Sequence, residues 1–209
     1  MSEQVWVCDA ARDSKLIRGF WTTINNENAA TSDVDKDAAL VRKIEAGEDI
    51  LKSELLSRLY HSRPSDFQGK LPSIFHSLFM VIDGEAADLI GSHDTGRAII
   101  SKLELYQNDQ ATKIPGDFFL LCPGNPMRTV DLEITKGIKK RFPRHELYDL
   151  PLFFDDKTLV TLPREENGFD IWVDPLIRGG PFFVSDKLAK ALEKAGLKKA
   201  FRLSRAATS

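Results

Sequence analysis

Apolar and polar positions along this chain recur with two periods, and both are clearest toward the C-terminal end. Pro181-Phe-Phe-Val184 is a short apolar, aromatic and β-branched run behind Gly179-Gly180, the pattern of a buried strand. Ser185 or Asp186 then offers a side-chain oxygen to the free amides of a helix predicted from Lys187 to Ala195. Leu188, Ala191, Leu192 and Ala195 recur at i, i+3, i+4 and i+7 on one face, with Lys187, Lys190, Glu193 and Lys194 off it. Gly196 suits a left-handed C-cap, and Lys194 sits near the negative end of the helix dipole. Ala200 to Leu203 then reads as a returning strand, so the tail predicts a β-α-β unit.

Upstream, Val5-Trp-Val-Cys8 reads as an opening strand. Residues 10–35 are polar and predict loops, with a short strand near Gly19-Phe-Trp21. Asp37 to Ile44 and Glu48 to Tyr60 both carry helix-compatible apolar spacing, with Gly47 kinking or separating them. Pro64 and Pro72 break the next stretch into loop and turns. Ser77 to Ile82 is apolar, Asp83 can cap a helix over 84–90, and 91–96 is turn-rich. Strands are predicted at 98–106, 117–122, 130–134, 152–154, 158–162 and 170–173, with Asp155-Asp156-Lys157 at a hairpin tip.

The run Phe79-Met-Val-Ile-Asp83 followed by Leu89 echoes Phe182-Phe-Val-Ser-Asp186 followed by Leu192 at a constant offset of 103 residues. The fold class expected is therefore α+β: a mixed, mostly antiparallel sheet with helices on one side and a candidate repeated β-α-β unit. Residues 1–60 form an N-terminal strand and helical segment and 61–209 the α+β domain, expected to pack as one compact unit.

Composition supports a packed core: 42% of the 209 residues are hydrophobic, with thirteen Phe and three Trp. No apolar run approaches the length of a membrane span, and the first residues show no secretory pattern. Cys8 and Cys122 are isolated, which provides neither a disulfide framework nor zinc spacing, so a reducing cytoplasm is expected. Charge is uneven. Residues 1–135 carry 14 Lys/Arg against 21 Asp/Glu, and 136–209 carry 15 against 10. Lys136, Lys139, Lys140, Arg141 and Arg144 are the one basic cluster, read as a solvated helix or loop face rather than a nucleic-acid site.

Candidate chemistry is sparse. No glycine-rich phosphate loop, metalloprotease helix motif or nucleophile elbow occurs, and none of the four histidines lies four residues from another. Ser92-His93-Asp94 has the residue types of a triad, but adjacent residues do not adopt triad geometry, and a polar turn explains them. Asp155-Asp156 reads as a turn before it reads as a carboxylate pair, and Cys122 as a buried structural thiol. No catalytic residue, metal ligand or cofactor site is assigned. Phe20, Trp21 and Trp172 are candidate anchors of a binding surface; Trp172 lies in a core-like run, whereas Trp21 sits among polar residues. Asp33, Asp35 and Asp37 could meet a basic partner, or simply favour the start of a helix. The partner-binding residues singled out are thus Trp21, Asp33, Asp35 and Asp37.

Ile171-Trp172, Phe182-Phe-Val-Ser-Asp186, Leu188, Leu192, Ala195-Gly196-Leu197 and Phe201 resemble the end of immunity protein family eleven of bacterial polymorphic toxin systems. Ser65-Asp66-Phe67, Phe79 to Asp83, Lys102-Leu-Glu-Leu105 and Pro115-Gly116-Asp117-Phe-Phe-Leu-Leu121 follow in the same order, so the resemblance spans about residues 60–205. It implies a cytoplasmic antidote that binds a cognate toxin and blocks it, without catalysis, nucleic acid, membrane or cofactor. These motifs are structural, and no toxin-contact residue is carried over from them. An enzyme with an unrecognised site and a nucleic-acid or regulatory module are the alternative readings.

Overall fold

The computed structural model describes residues 3–22, 31–63, 67–151, 158–164 and 168–209. The first elements are β1 (Val5–Cys8), β2 (Phe20–Trp21), α1 (Thr31–Ala46), β3 (Arg58–His61), β4 (Ile74–His76), β5 (Met80–Asp83) and α2 (Gly84–Gly91). Then come β6 (Ile99–Tyr106), β7 (Phe118–Cys122), β8 (Lys139–Phe142), β9 (His145–Asp149), β10 (Val160–Thr161), β11 (Ile171–Trp172) and β12 (Ile177–Arg178). β13 (Phe182–Ser185), α3 (Asp186–Lys194), β14 (Leu203–Arg205) and β15 (Ala207–Thr208) come last. The fold is α+β, with mixed and largely antiparallel pairing.

Local chemistry sets the helix ends. The Asp83 carboxylate accepts from the Ala86 amide at 2.9 Å to start α2, and the Ser185 hydroxyl accepts from the Leu188 amide at 3.1 Å to start α3. At the end of α3, Gly196 takes φ +77°; its amide donates to the Glu193 carbonyl, and the Leu197 amide to the Leu192 carbonyl. This is a Schellman motif, closed by apolar Leu192 and Leu197 in one core cluster. α1 stops in the same way at Gly47, where φ is +67° and the Gly47 and Glu48 amides donate to Ile44 and Lys43.

The echoed segments have the same topology. In the four-stranded sheet, ordered β11-β13-β1-β14, β1 is antiparallel to both β13 and β14. β13-α3-β14 is therefore a β-α-β unit split by the N-terminal strand. In the six-stranded sheet, ordered β2-β3-β6-β7-β5-β4, β7 is antiparallel to both β5 and β6 and splits β5-α2-β6 likewise. The structural offset is 102 residues, not 103, because the N-caps are Asp83 and Ser185. The two helices pack together: Ala86, Ala87 and Ile90 share one cluster with Leu188, Ala189 and Leu192.

The six-stranded sheet closes on itself. Leu16–Arg18 pairs with β4, through His76 N–H to Leu16 O at 3.0 Å and Arg18 N–H to His76 O at 2.8 Å, while Phe20 and Trp21 pair with β3. Three residues span about 10 Å, whereas the edges of a flat six-stranded sheet lie about 24 Å apart. The sheet must curl into a small barrel. Phe20, Phe75, Val81, Leu103 and Phe118 fill its interior, and Leu40 of α1 packs with Phe79, Leu120 and Cys122 on the same side of the sheet. Facing the other way, Ile74, Met80, Ile82 and Leu121 meet α2, α3 and the four-stranded sheet.

Several expectations are corrected. The predicted helix over Glu48 to Tyr60 is a coil with one 3-10 turn, Lys52–Glu54, followed by β3. Gly47 terminates α1, and Ile50, Leu55 and Leu56 gain burial by lying across the α1–barrel core. α1 itself starts at Thr31, before the predicted Asp37. Only Val130 of the predicted 130–134 strand bridges a neighbour, because the Asp131 carboxylate accepts from the Glu133 and Ile134 amides and bends the chain. The strand after α3 begins at Leu203 rather than Ala200, after a turn in which Arg202 has φ +51°. β4, the β8–β9 hairpin and β12 were not anticipated. The predicted 152–154 strand, Asp155-Asp156-Lys157, Ser65 and Asp66 lie outside the described residues.

The short strand β11 is held at both ends by buried carboxylates. Asp174 accepts from the Thr129, Val130 and Leu176 amides at 2.8, 2.9 and 3.0 Å. Asp170 accepts from the Ser185 hydroxyl and from the Asp94 amide. Asp174→Ala strands three amides at once, and the expected loss of stability is about 3–5 kcal/mol, read as a lowered urea midpoint with unchanged slope. Asp174→Asn, which keeps one acceptor, should lose less.

Candidate functional site

Trp21 lies on β2, and alternation along the barrel strands decides which way it faces. Phe20, Leu59 and Leu105 point inward and are buried; Trp21, Tyr60 and Tyr106 are their outward neighbours. Trp21 is directly opposite Tyr60 in the β2–β3 register, and Tyr60 is directly opposite Tyr106 in the β3–β6 register. Residues opposite one another share a face, so three aromatics from distant parts of the chain form one outward row. The Tyr60 and Tyr106 rings are 5.8 Å apart, and Trp21 remains 41% exposed against 1% for Phe20.

Charges fix the row at its Tyr106 end. The Arg58 guanidinium lies 5.6 Å over the Tyr106 ring and 3.6 Å from Glu104. Tyr106 donates its hydroxyl to Glu104 at 2.9 Å, and Lys113 donates to the other oxygen at 2.8 Å. Hydrogen bonds from Lys113 and then Tyr106 hold the Glu104 carboxyl below its ordinary range, and donation to that carboxylate pushes the Tyr106 hydroxyl up. The result is a patch of two Tyr, one Trp and one Arg in which the Glu104 carboxylate is already satisfied.

The acidic residues divide. The Thr22 hydroxyl donates to the Asp37 carboxylate, which ties the end of β2 to α1 and brings Asp37 beside Trp21. Asp35 is exposed on α1. Residues two apart on a helix do not share a face, so Asp35 and Asp37 do not form the single acidic surface that their spacing suggested. The side chain of Asp33 lies outside the described residues. All three fall in the first two turns of α1, where negative charge favours the helix dipole.

The remaining candidates resolve into structural roles. Phe20 and Trp172 are buried; Trp172 stacks on Phe183 at 6.1 Å and donates to Thr129 at 2.7 Å. Ser92-His93-Asp94 is the exit turn of α2. His93 Nδ1 lies 2.9 Å from the Leu89 carbonyl, to which it must donate, and the Asp94 carboxylate accepts from the Gly96 amide rather than the imidazole. Of the basic cluster, Lys136 and Arg144 lie in turns, whereas Lys139, Lys140 and Arg141 lie on β8, whose four residues are all exposed, and Lys140 pairs with Glu146 at 2.6 Å. No group of three or more His, Cys, Asp or Glu side chains suited to a metal occurs among the described residues, and none of their helices is long and apolar enough to cross a membrane. Sequence reasoning missed Arg58 and Tyr60, since the spacing over 48–60 predicts a helix, and Tyr106, which falls on a predicted strand whose neighbour the sequence does not name. The alternation of Arg58-Leu-Tyr-His61 was the available signal. No family model matches the chain, and no curated protein matches it significantly.

Both cysteines are buried. Burial pushes both thiols up, Cys122 to about 12, and Cys8 donates to the Phe201 carbonyl at 2.9 Å. Neither should react with a disulfide reagent at pH 8 until the chain unfolds. A thiol whose pKa is raised in the folded state stabilises fully below the unfolded value and loses that contribution as pH rises. Stability should therefore fall from about pH 9 toward about pH 12. Cys122→Ala should flatten that decline, measured as the urea midpoint across the alkaline range.

Proposed function

We propose that this chain is an immunity protein that binds a cognate bacterial toxin in the cytoplasm and neutralises it by protein–protein contact. The observation that carries this reading is the outward row Trp21-Tyr60-Tyr106 with Arg58 laid over its end. Trp, Tyr and Arg are the residue types that dominate binding hot spots, and rings already ordered by strand register lose little entropy when a partner covers them. The Thr22–Asp37 hydrogen bond brings one carboxylate of α1 to the end of β2, negative charge suited to steering a basic partner. The resemblance over residues 60–205 to an immunity family supports the same reading.

The test is co-purification with any candidate toxin encoded by a neighbouring gene, followed by titration of alanine variants. Trp21→Ala, Tyr60→Ala and Tyr106→Ala should each weaken binding by about tenfold or more while leaving the melting temperature nearly unchanged, and should make cells sensitive to the toxin. Undiminished affinity in all three would remove the aromatic row from the interface. Failure of the native chain to bind or protect would remove the reading itself.

A further inference from the structure

The basic cluster, which in sequence reads as a solvated face, takes the form of a two-stranded arm. Ile138, Tyr148 and Leu150 hold its base in a core cluster, and β9 pairs with β12 there. Beyond that base, every residue from Lys139 to Glu146 is exposed, so both faces of the ribbon meet solvent. β8 is the outermost strand of its sheet among the described residues. Lysines on such an edge discourage pairing with the same strand of a second copy, which keeps the surface open.

The arm is positive and carries an aromatic ring. Between residues 136 and 149, Lys136, Lys139, Lys140, Arg141 and Arg144 stand against only two carboxylates, Glu146 and Asp149. Glu146 accepts from Lys140 at 2.6 Å and from the Tyr148 hydroxyl at 2.7 Å. Asp149 lies 3.6 Å from the Arg141 guanidinium and stands opposite Arg178 in the β9–β12 register. Both carboxylates are compensated, whereas Lys136, Lys139 and Arg144 make no ion pair among the described residues. Phe142 is 49% exposed and belongs to no core cluster. The β8–β9 register shifts at Arg141, whose guanidinium lies 5.9 Å from the Phe142 ring. His145, opposite Phe142, meets that ring nearly perpendicular with centroids 6.1 Å apart. The ring is thus oriented by two neighbours while half of it stays in water.

We propose that the β8–β9 arm binds single-stranded nucleic acid, with Lys136, Lys139 and Arg144 against phosphates and Phe142 stacked on a base. Cations interleaved with an exposed ring match a strand that offers phosphates and flat base faces together. An acidic protein segment would use the cations but give the ring no flat surface to stack on. In a duplex the base faces are covered by neighbouring pairs and are reached only by unstacking. With three unpaired cations, binding is weak, tolerant of sequence and salt-dependent. The arm and the aromatic row belong to different sheets, so this activity stands whether or not that row meets a toxin.

The experiment titrates the full chain into a fluorescein-labelled oligothymidylate dodecamer and follows anisotropy at low salt. Binding is expected with a dissociation constant of about 100 μM or below, weakening about twentyfold between about 50 and 200 mM salt as three counterions are released. Phe142→Ala should weaken binding about fivefold or more. The double variant Lys139→Glu, Arg144→Glu should abolish it. Both should leave the melting temperature nearly unchanged, because these side chains are exposed. Phe142→Trp, which enlarges the stacking face, should bind at least as well as the native chain and covers the case in which Phe142→Ala disturbs the arm. Equal binding of the matching duplex or of polyglutamate, undiminished binding by Phe142→Ala or by the charge-reversed variant, or no anisotropy change with near-millimolar protein at low salt overturns the proposal.

Discussion

The insertion of β1 between β13 and β14 is the constraint on which the C-terminal sheet depends. Four residues near the start of the chain supply the inner strand for a unit built almost two hundred residues later, bonding on one edge to Phe182–Ser185 and on the other to Leu203–Arg205. Without it, both neighbours would expose unpaired edges. Val5 and Val7 face one core cluster, and Trp6 and Cys8 face another, so a single strand also joins two apolar layers. Such pairing closes a very long loop, an entropic penalty that local helix formation does not incur. The folded tail is thus a product of the whole chain, despite having the most complete local signals.

A second split unit, with β7 between β5 and β6, repeats this arrangement in the barrel, and α2 and α3 meet between the two sheets. The runs Val5–Cys8, Met80–Ile82 and Phe182–Val184 are buried on both faces, which explains why they read as continuous apolar runs rather than alternating ones. Where alternation does appear, at β3 and the far end of β6, one side is barrel interior and the other is surface. The exposed aromatic row and the filled barrel are therefore two sides of the same pattern.

Local signals were legible wherever a short-range interaction decides the outcome. Asp83 and Ser185 start helices through hydrogen bonds to amides three residues on, and Gly196 stops one by adopting a backbone conformation that other residues resist. The error at Glu48 to Tyr60 has the same root. The spacing of Ile50, Leu55 and Leu56 satisfies a helix, yet Gly47 had already closed α1, and tertiary burial was available to those side chains in an extended path. Of the candidate binding residues, Trp21 was legible as an aromatic stranded among polar neighbours. Tyr60 and Tyr106 were not, because nothing local records which strand lies beside which.

The amino-acid sequence alone determined the α+β class, the Asp83 cap of α2, the Gly196 stop of α3, the apolar strands and the burial of Trp172, since each follows from interactions within a few residues or from side-chain hydrophobicity. Only the tertiary structure decided that β1 and β7 split the two β-α-β units, that residues 16–21 close the barrel, and that Trp21, Tyr60 and Tyr106 stand in register. Those features depend on pairings between residues far apart in the chain, whose free energy comes from burying shared surface and completing one another's hydrogen bonds, and neither partner encodes that choice by itself.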